Sequence, residues 1–219
     1  LSEIRPIVVA ITASFGKTSI KNFAAHILSK KYRLYATPAS VNTKIGIIKD
    51  INEHLPQDAE IYIVEAGARQ KGDIAEIVSL VRPKYALIGK IGEAHIEYFK
   101  SIENIQSTKA EILGSDELKE AFVFENSGQS GEKLTVFGYT DGITINNAAS
   151  TLNGVSFELS FDDGQTHKFE APNILGAFNA INITAAVLLA RALGMDIESI
   201  KRAVETLPSV AHRLQKIVA

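Results

Sequence analysis

Short apolar runs alternate with segments of helical periodicity along most of the chain. Five runs rich in β-branched or aromatic residues indicate strands, at residues 7–11, 32–36, 61–64, 85–88 and 122–124. Three segments between them carry apolar side chains at helical spacing, at residues 20–28, 44–55 and 74–80. This alternation predicts an α/β fold, with a mostly parallel sheet flanked by helices.

The pattern changes in a β-rich subregion between residues 121 and 171. Four short, partly alternating runs are separated there by glycine, aspartate and asparagine, at residues 134–139, 143–147, 155–161 and 167–170. Such spacing is typical of hairpins, so we predict a small antiparallel or mixed sheet packed beside the parallel one. Asp162, Asp163 and Gly164 fit a tight turn better than a calcium loop, because the other ligands of a calcium loop are missing.

The last third of the chain is predicted to be helical. Residues 176–193 form one helix that ends at Gly194, and residues 197–207 form another that ends at Pro208. At 219 residues the chain suits a single domain. Both of its ends lie at the edge of a predicted element, which suggests one domain of a longer protein.

Composition argues against several classes of protein. A net charge of -2 and a pI near 6.3 give no general attraction to nucleic acid or to an anionic membrane. The absence of cysteine excludes disulfides and thiolate metal sites, which suits a reducing cytoplasm. There is no signal peptide and no apolar run of about 18 residues, so we expect no membrane span and a cytoplasmic location.

The strongest candidate for chemistry is the segment IVVAITASFGKTS at residues 7–19. Backbone N–H groups near Gly16 and the positive end of the next helix would face a phosphate. Lys17 would reach the outer phosphates, and the Thr18 hydroxyl would hold Mg²⁺. The usual motif has glycine where this chain has Ile11, so an ordinary strand-to-helix turn stays open as the alternative.

Two further strands are followed by side chains that can bind metal. Glu65 and His95 each follow a predicted strand, and the carboxyl ends of parallel strands share the edge of the sheet where ligands sit. A solvated Glu65 and a structural His95 remain alternatives, and composition alone supports only a solvated Lys109. Asn179 and Asn182 share a helix face, where they could cap, bond to a loop or contact a base.

Taken in order, five segments resemble the central ATPase domain of the Mur ligases, which add amino acids to the peptidoglycan precursor. ITASFGKTS is similar to the family's ITGxNGKTT, which also lacks the first glycine. EAGA at residues 65–68 resembles the EMGA of the member that adds D-Ala-D-Ala, and residues 91–112 resemble IGxAHIExxGSxExIxxAKxEI. GAFNAINITAA at residues 176–186 resembles GxHNxxNxxAA, and HRLQ at residues 212–215 resembles the segment before the third domain. Departures from these patterns occur at Ala13, Phe15, Lys44, Lys90 and Phe178.

The resemblance implies a triphosphate site beside two Mg²⁺ ions. The residues implied for ATP binding are Ser14, Gly16, Lys17, Thr18, Ser19, Asn182 and Arg213, with Asn182 on adenine and Arg213 on the phosphates. Those implied for metal binding are Thr18, Glu65, His95 and Lys109. Lys109 would be carbamylated by CO₂, since a carbamate offers the hard oxygens that Mg²⁺ prefers. Lys17, His95 and Lys109 are implied to be catalytic, and Asn42 to lie near the substrate.

The implied activity is that of an ATP-dependent peptide ligase. The γ-phosphoryl group would pass to the carboxylate of UDP-MurNAc-tripeptide, and the amine of D-Ala-D-Ala would attack the acyl phosphate. The family's N-terminal UDP-substrate domain and its C-terminal domain would be absent from residues 1–219, so we expect a monomer with weak ATP binding and no turnover. A folylpolyglutamate synthase-like ligase and a non-catalytic Mur-ligase-like scaffold stay open as alternatives.

Overall fold

The structure is a computed structural model that describes residues 1, 3–38, 41–94 and 96–209. Its strands are β1 (Ile7–Thr12), β2 (Leu34–Ala36), β3 (Ile61–Glu65), β4 (Tyr85–Ile88), β5 (Glu120–Phe124), β6 (Leu134–Gly138), β7 (Ile143–Thr151), β8 (Gly154–Ser160) and β9 (Thr166–Ala171). Its α-helices are α1 (Lys17–Leu28), α2 (Lys44–His54), α3 (Asp73–Val81), α4 (Ile96–Phe99), α5 (Ile102–Ala110), α6 (Asn179–Ala192) and α7 (Ile197–Glu205).

The strands form one sheet in the order β2-β3-β1-β4-β5-β6-β7-β8-β9. The pairs from β2 to β7 are parallel, which confirms the predicted α/β class. Successive side chains of β1 enter opposite layers, because Val9 and Ile11 pack with α1 and α6 whereas Val8 and Ala10 pack with α2 and α3. Helices therefore cover both faces of the parallel part, as its continuous apolar strands require.

The β-rich subregion extends this sheet instead of forming a second one beside it. β6 pairs in parallel with β5, and β7 pairs in parallel with β6. Only β7, β8 and β9 pair antiparallel, through two hairpins. The prediction of hairpins is thus confirmed, but the prediction of a sheet packed beside the parallel one is wrong. Hairpin periodicity shows which strands turn back, and not whether the first of them joins an existing edge.

Helix α3 begins one residue before the predicted segment 74–80. Gly72, with a φ of 97°, precedes α3, and Asp73 is the first helical residue. The Asp73 carboxylate accepts two backbone N–H groups of the preceding turn, at 2.8 and 3.1 Å. Ser101 caps α5 by accepting the Asn104 N–H at 3.2 Å. No helix in the described part of the chain is long and apolar enough to cross a membrane.

Candidate functional site

The phosphate loop, residues 13–16, joins β1 to α1 at the carboxyl edge of the sheet. Gly16 has a φ of 84°, which favours glycine. The Asn182 carboxamide lies so close that a Cβ on Gly16 would be 2.4 Å from Asn182 Oδ1. Among the described residues no side chain caps α1, and its first turn has no acidic residue. The first N–H groups and the positive end of the helix dipole therefore face outward in a form that suits an anion.

Hydrogen bonds tie the phosphate loop to the segment that follows β4. The Ser14 N–H donates to Lys90 O at 3.0 Å, and Ser14 Oγ donates to Gly92 O at 3.0 Å. The positive φ falls on Gly16 and not on Phe15, so Phe15 is free of that backbone strain. The loop is thus held from the β4 side in one conformation.

The side chains of the first turn of α1 have different partners. Thr18 Oγ1 donates to Glu65 Oε2 at 3.4 Å. Lys17 Nζ donates across the loop to Ala13 O at 2.7 Å, and Ser19 is buried. The structure therefore brings Thr18 and Glu65 together, and Glu65 is buried rather than a solvated strand end.

Lys21 forms a buried charged pair with Glu65 that was not anticipated from the sequence. Its Nζ lies 2.9 Å from Glu65 Oε1, close enough for an ion pair, but Oε1 accepts no hydrogen bond within the described residues. The ammonium donates to Thr37 O at 2.5 Å instead. The available signal was a lysine on the face of α1 that also carries Ala24 and Leu28, since a charge there needs a buried partner.

A cavity of about 430 Å³, here named the cationic cavity, opens between the phosphate loop, β3 and α5. The charged residues that line it are Lys17, Lys44, Arg69, Asp73, Glu76 and Lys109. Lys44 pairs with Glu76 at 3.3 Å. Four cations against two carboxylates give this cavity a positive balance that suits an anionic ligand.

Lys109 is a buried amine in the wall of the cationic cavity, not a solvated lysine. It is 5% exposed, and no hydrogen bond or ion pair joins its ammonium to any described residue. Burial lowers the pKa of Lys109 to about 7, helped by the charge of Lys17 and opposed by Glu111 and Asp73.

Asn42 lies against the small residues that follow β3. The Gly67 N–H donates to Asn42 O at 2.9 Å, and a Cβ on Gly67 would lie 2.9 Å from Asn42 Cγ. The glycine in EAGA is therefore needed for close approach of the segment before α2. Both residues line the cationic cavity, and the position of Asn42 near the substrate stays a prediction.

A second cavity of about 600 Å³, here named the aromatic cavity, lies on the other side of the phosphate loop. Its wall outside residues 14–19 is formed by Lys90, Phe178, Ile181 and Asn182. Asn182 Nδ2 donates to Asn179 Oδ1 at 2.8 Å, and Asn179 Nδ2 donates to Leu175 O at 2.8 Å. The two asparagines share a face, as predicted.

A third cavity, of about 620 Å³, opens where the parallel strands begin, near Pro6, Val8 and Lys84. None of the residues predicted for the site lies in it, so its size does not make it the candidate site. His95 and Arg213 lie outside the described residues. Within those residues no group of three His, Cys, Asp or Glu side chains is placed to hold a metal.

Comparison with known proteins defines the class of this chain. The model of the Mur ligase middle domain matches residues 11–190, and the chain belongs to that family. The UDP-N-acetylmuramoyl-tripeptide--D-alanyl-D-alanine ligase of Escherichia coli is 30% identical over 94% of this chain and 48% of its own length. The chain spans about half the length of the curated relatives it matches.

Solved structures agree with this assignment. MurF from Acinetobacter baumannii superposes with a TM-score of 0.89 at 26% identity, over 100% of this chain and 49% of that one. MurF from Thermotoga maritima, solved in complex with ADP, superposes with a TM-score of 0.81 at 25% identity, over 94% of this chain and 49% of that one. L. casei FPGS, at 14% identity and a TM-score of 0.70, shares the fold alone. The likeness to MurF thus favours the predicted family over the synthase-like alternative.

Proposed function

We propose that this chain is the ATP-binding part of an ATP-dependent ligase that joins D-Ala-D-Ala to UDP-MurNAc-tripeptide. One observation carries the proposal: the uncapped start of α1, with Gly16, Lys17 and Thr18, lies beside the buried Glu65 at one edge of the sheet. This combination suits a nucleoside triphosphate and its metal. The names of the relatives and the ADP complex of the Thermotoga maritima protein support the substrate assignment.

We propose that Glu65 and Thr18 hold one Mg²⁺. Their oxygens are hard donors, and Glu65 Oε2 lies 3.4 Å from Thr18 Oγ1, so the residues fit the ion. Lys21 lies beside Oε1 of the Glu65 carboxylate, and Oε2 is directed at Thr18. When bound, Mg²⁺ would neutralise charge on the phosphate oxygens. From the family resemblance alone, we propose His95 and Lys109 as ligands of a second Mg²⁺ and Arg213 as a phosphate ligand.

Lys109 is proposed to carry a carbamate. Its ammonium would first lose one proton. The neutral nitrogen would then attack the carbon of CO₂ and lose a second proton, which converts a buried cation into an anion with two hard oxygens. Burial without a polar partner among the described residues and a position on the cationic cavity support this assignment. An anion there would also balance the excess of positive charge in that cavity.

The proposed reaction needs positioning and charge neutralisation rather than a protein nucleophile. The tripeptide carboxylate would attack the γ-phosphorus of ATP, which breaks the bond to ADP and forms an acyl phosphate. The amine of D-Ala-D-Ala would then attack the acyl carbon, and inorganic phosphate would leave. Lys17, between the two cavities, would stabilise the negative charge that gathers during the first step.

The greater length of the relatives suggests which parts of the reaction this chain performs by itself. Because the chain covers about half of their length, we propose that the UDP-sugar and part of the amine site belong to regions outside residues 1–219. The chain alone would bind ATP weakly and would not turn over.

Calorimetry tests the nucleotide assignment. We expect residues 1–219 to bind ATP more tightly with Mg²⁺ than without it. Lys17→Ala should weaken binding by at least tenfold, whereas the exposed Lys30→Ala should not. If the full-length protein bound no nucleotide, the ligase proposal would be replaced by the non-catalytic alternative.

Isotope labelling tests the carbamate. With ¹³C-bicarbonate, we expect a carbamate carbon signal in the wild type that is absent in Lys109→Ala. In the full-length enzyme, Lys109→Ala should lose ligation and formate should partly restore it. A fully active Lys109→Ala variant would remove the role proposed for this lysine.

A further inference from the structure

The side chain of Asn126 binds both backbone groups of Ile91. Its Oδ1 accepts the Ile91 N–H at 3.0 Å, and its Nδ2 donates to Ile91 O at 2.7 Å. Asn126 lies in the 3₁₀ turn that follows β5, and Ile91 lies in the segment that follows β4. The two residues meet because β4 and β5 pair in parallel, with Ile88 opposite Val123, so both strands end at the same edge of the sheet.

The segment that Asn126 binds is also the segment that binds the phosphate loop. Lys90 O, directly before Ile91, accepts the Ser14 N–H at 3.0 Å. Gly92 O, directly after Ile91, accepts the Ser14 hydroxyl at 3.0 Å. A chain of hydrogen bonds therefore runs from the end of β5, through the end of β4, to the loop that follows β1.

The backbone of Asn126 is fixed from another side, by helix α5. Gln106 Nε2 donates to Asn126 O at 2.9 Å. Asn126 itself is exposed, so its side chain fills no part of the core. What Asn126 contributes is therefore its pair of hydrogen bonds to Ile91 and not its packing.

We propose that Asn126 is a positioning residue for the phosphate loop, which it orients through Ile91 and the two carbonyls that flank Ile91. The inference rests on the nucleotide site proposed above. Asn126 lines neither the cationic nor the aromatic cavity, so it acts through the segment after β4 and not by touching the ligand. A loop that binds phosphate with backbone N–H groups binds best when those groups are already oriented, because ordering them on binding would weaken the affinity.

Titrations of residues 1–219 by NMR, with ADP and tripolyphosphate as probes, test the effect on phosphate binding. We expect Asn126→Ala to weaken both ligands by about five- to tenfold, because two hydrogen bonds that orient the loop are lost. The two losses should agree within about twofold, since the ligands share their phosphates and only ADP has a base.

Hydrogen exchange without ligand tests the loop directly. We expect the Ser14 amide to exchange about tenfold faster in Asn126→Ala, because its acceptor is held less firmly. The amide of Val9, in the buried strand β1, reports opening of the whole domain and should change less than threefold. Asn126→Asp keeps the shape of the side chain but directs an acceptor at Ile91 O, so it should speed Ser14 exchange as much as Asn126→Ala.

Asn146→Ala is the matched control. Asn146 Nδ2 donates to Thr144 O at 3.4 Å and to Ser160 Oγ at 3.0 Å, so this variant also loses two side-chain hydrogen bonds. Asn146 lies in β7, which is separated from β4 by β5 and β6 in the sheet. It should leave ADP affinity and Ser14 exchange within about twofold of the wild type.

The outcomes separate this inference from the nucleotide assignment. Unchanged Ser14 exchange in Asn126→Ala would overturn the inference, and so would faster exchange with unchanged affinity for both ligands. A loss of affinity for ADP alone, or equal losses in Asn146→Ala, would overturn it as well. If the wild type bound neither ligand, the proposed function would fail instead, and Ser14 exchange would still decide whether Asn126 orients the loop.

Discussion

The two cavities that meet at the phosphate loop are walled by different kinds of side chain. The cationic cavity is lined by charged side chains. Two of them, Lys17 and Lys109, are close enough for their positive charges to repel each other. The aromatic cavity is bordered by Phe15 and Phe178, which are half open to solvent. Lys17, the first residue of α1, lines both cavities, so a region lined by charges adjoins a region lined by exposed aromatic rings.

The difference shows how the two sides are stabilised. Burial makes charge costly, so the charged groups near the phosphate loop depend on pairs such as Lys21 with Glu65, just outside the cationic cavity. At the aromatic cavity the exposed rings carry no charge, and each packs on a glycine, Phe15 on Gly92 and Phe178 on Gly176. Substitutions on the charged side should therefore alter the free energy of unfolding, and substitutions of the rings should leave it nearly unchanged.

The largest effect is expected from Lys21→Met. It leaves the Glu65 carboxylate buried without its counterion, which should lower the free energy of unfolding by roughly 3–5 kcal/mol. Urea unfolding measures the loss. Lys30→Met, an exposed lysine just after α1, should stay within about 0.5 kcal/mol of the wild type.

A double variant sharpens that test. Lys21→Met with Glu65→Gln removes both charges and should recover much of the lost stability. The account of the pair would be wrong if Lys21→Met were as mild as Lys30→Met, or if the double variant were less stable than Lys21→Met.

A smaller effect of opposite sign is expected from Lys109→Met in CO₂-free buffer. The folded pKa of Lys109, about 7, lies below the ordinary value of 10.5, so folding favours the neutral amine. The folded chain therefore carries a penalty for the buried ammonium that is complete below pH 7 and fades as pH rises toward 10.5. Lys109→Met should thus stabilise the chain by roughly 2–4 kcal/mol at pH 7, less at pH 9.

Unfolding at several pH values measures this change, with the exposed Lys71→Met as control. A gain that does not shrink between pH 7 and pH 9 would contradict the role of the buried ammonium. A loss of stability on Lys109→Met would contradict it at every pH.

Some residues of the candidate site could be predicted from the sequence, and others could not. Thr18 and Glu65 could be predicted to approach each other, because parallel strands end at one edge and β1 pairs beside β3. Lys21 was missed because a lysine in a helix pattern normally faces solvent, and only the fold reveals that its side of α1 is covered. Phe15 and Phe178 line one cavity because α6 packs on α1, and no local pattern encodes that packing.

The fold, too, could be predicted only in part from the sequence. Alternating periodicity predicted the strands and helices, since local burial determines it. It could not predict that β6 would join β5 in parallel, because the choice of an edge is a long-range pairing. The family resemblance added roles for His95, Lys109 and Arg213 that no periodicity implied, and those roles stay predictions.

The smallest effect compares two residues in the wall of the same cavity. Asn182→Ala removes a buried donor and leaves Asn179 Oδ1 without it, so it should lower the free energy of unfolding by about 1–2 kcal/mol. Phe178→Ala, at a half-exposed ring, should change stability by less than about 0.5 kcal/mol. Urea unfolding measures both changes. If Asn182→Ala left the free energy of unfolding unchanged, the hydrogen bond from Asn182 to Asn179 would not stabilise this wall of the cavity.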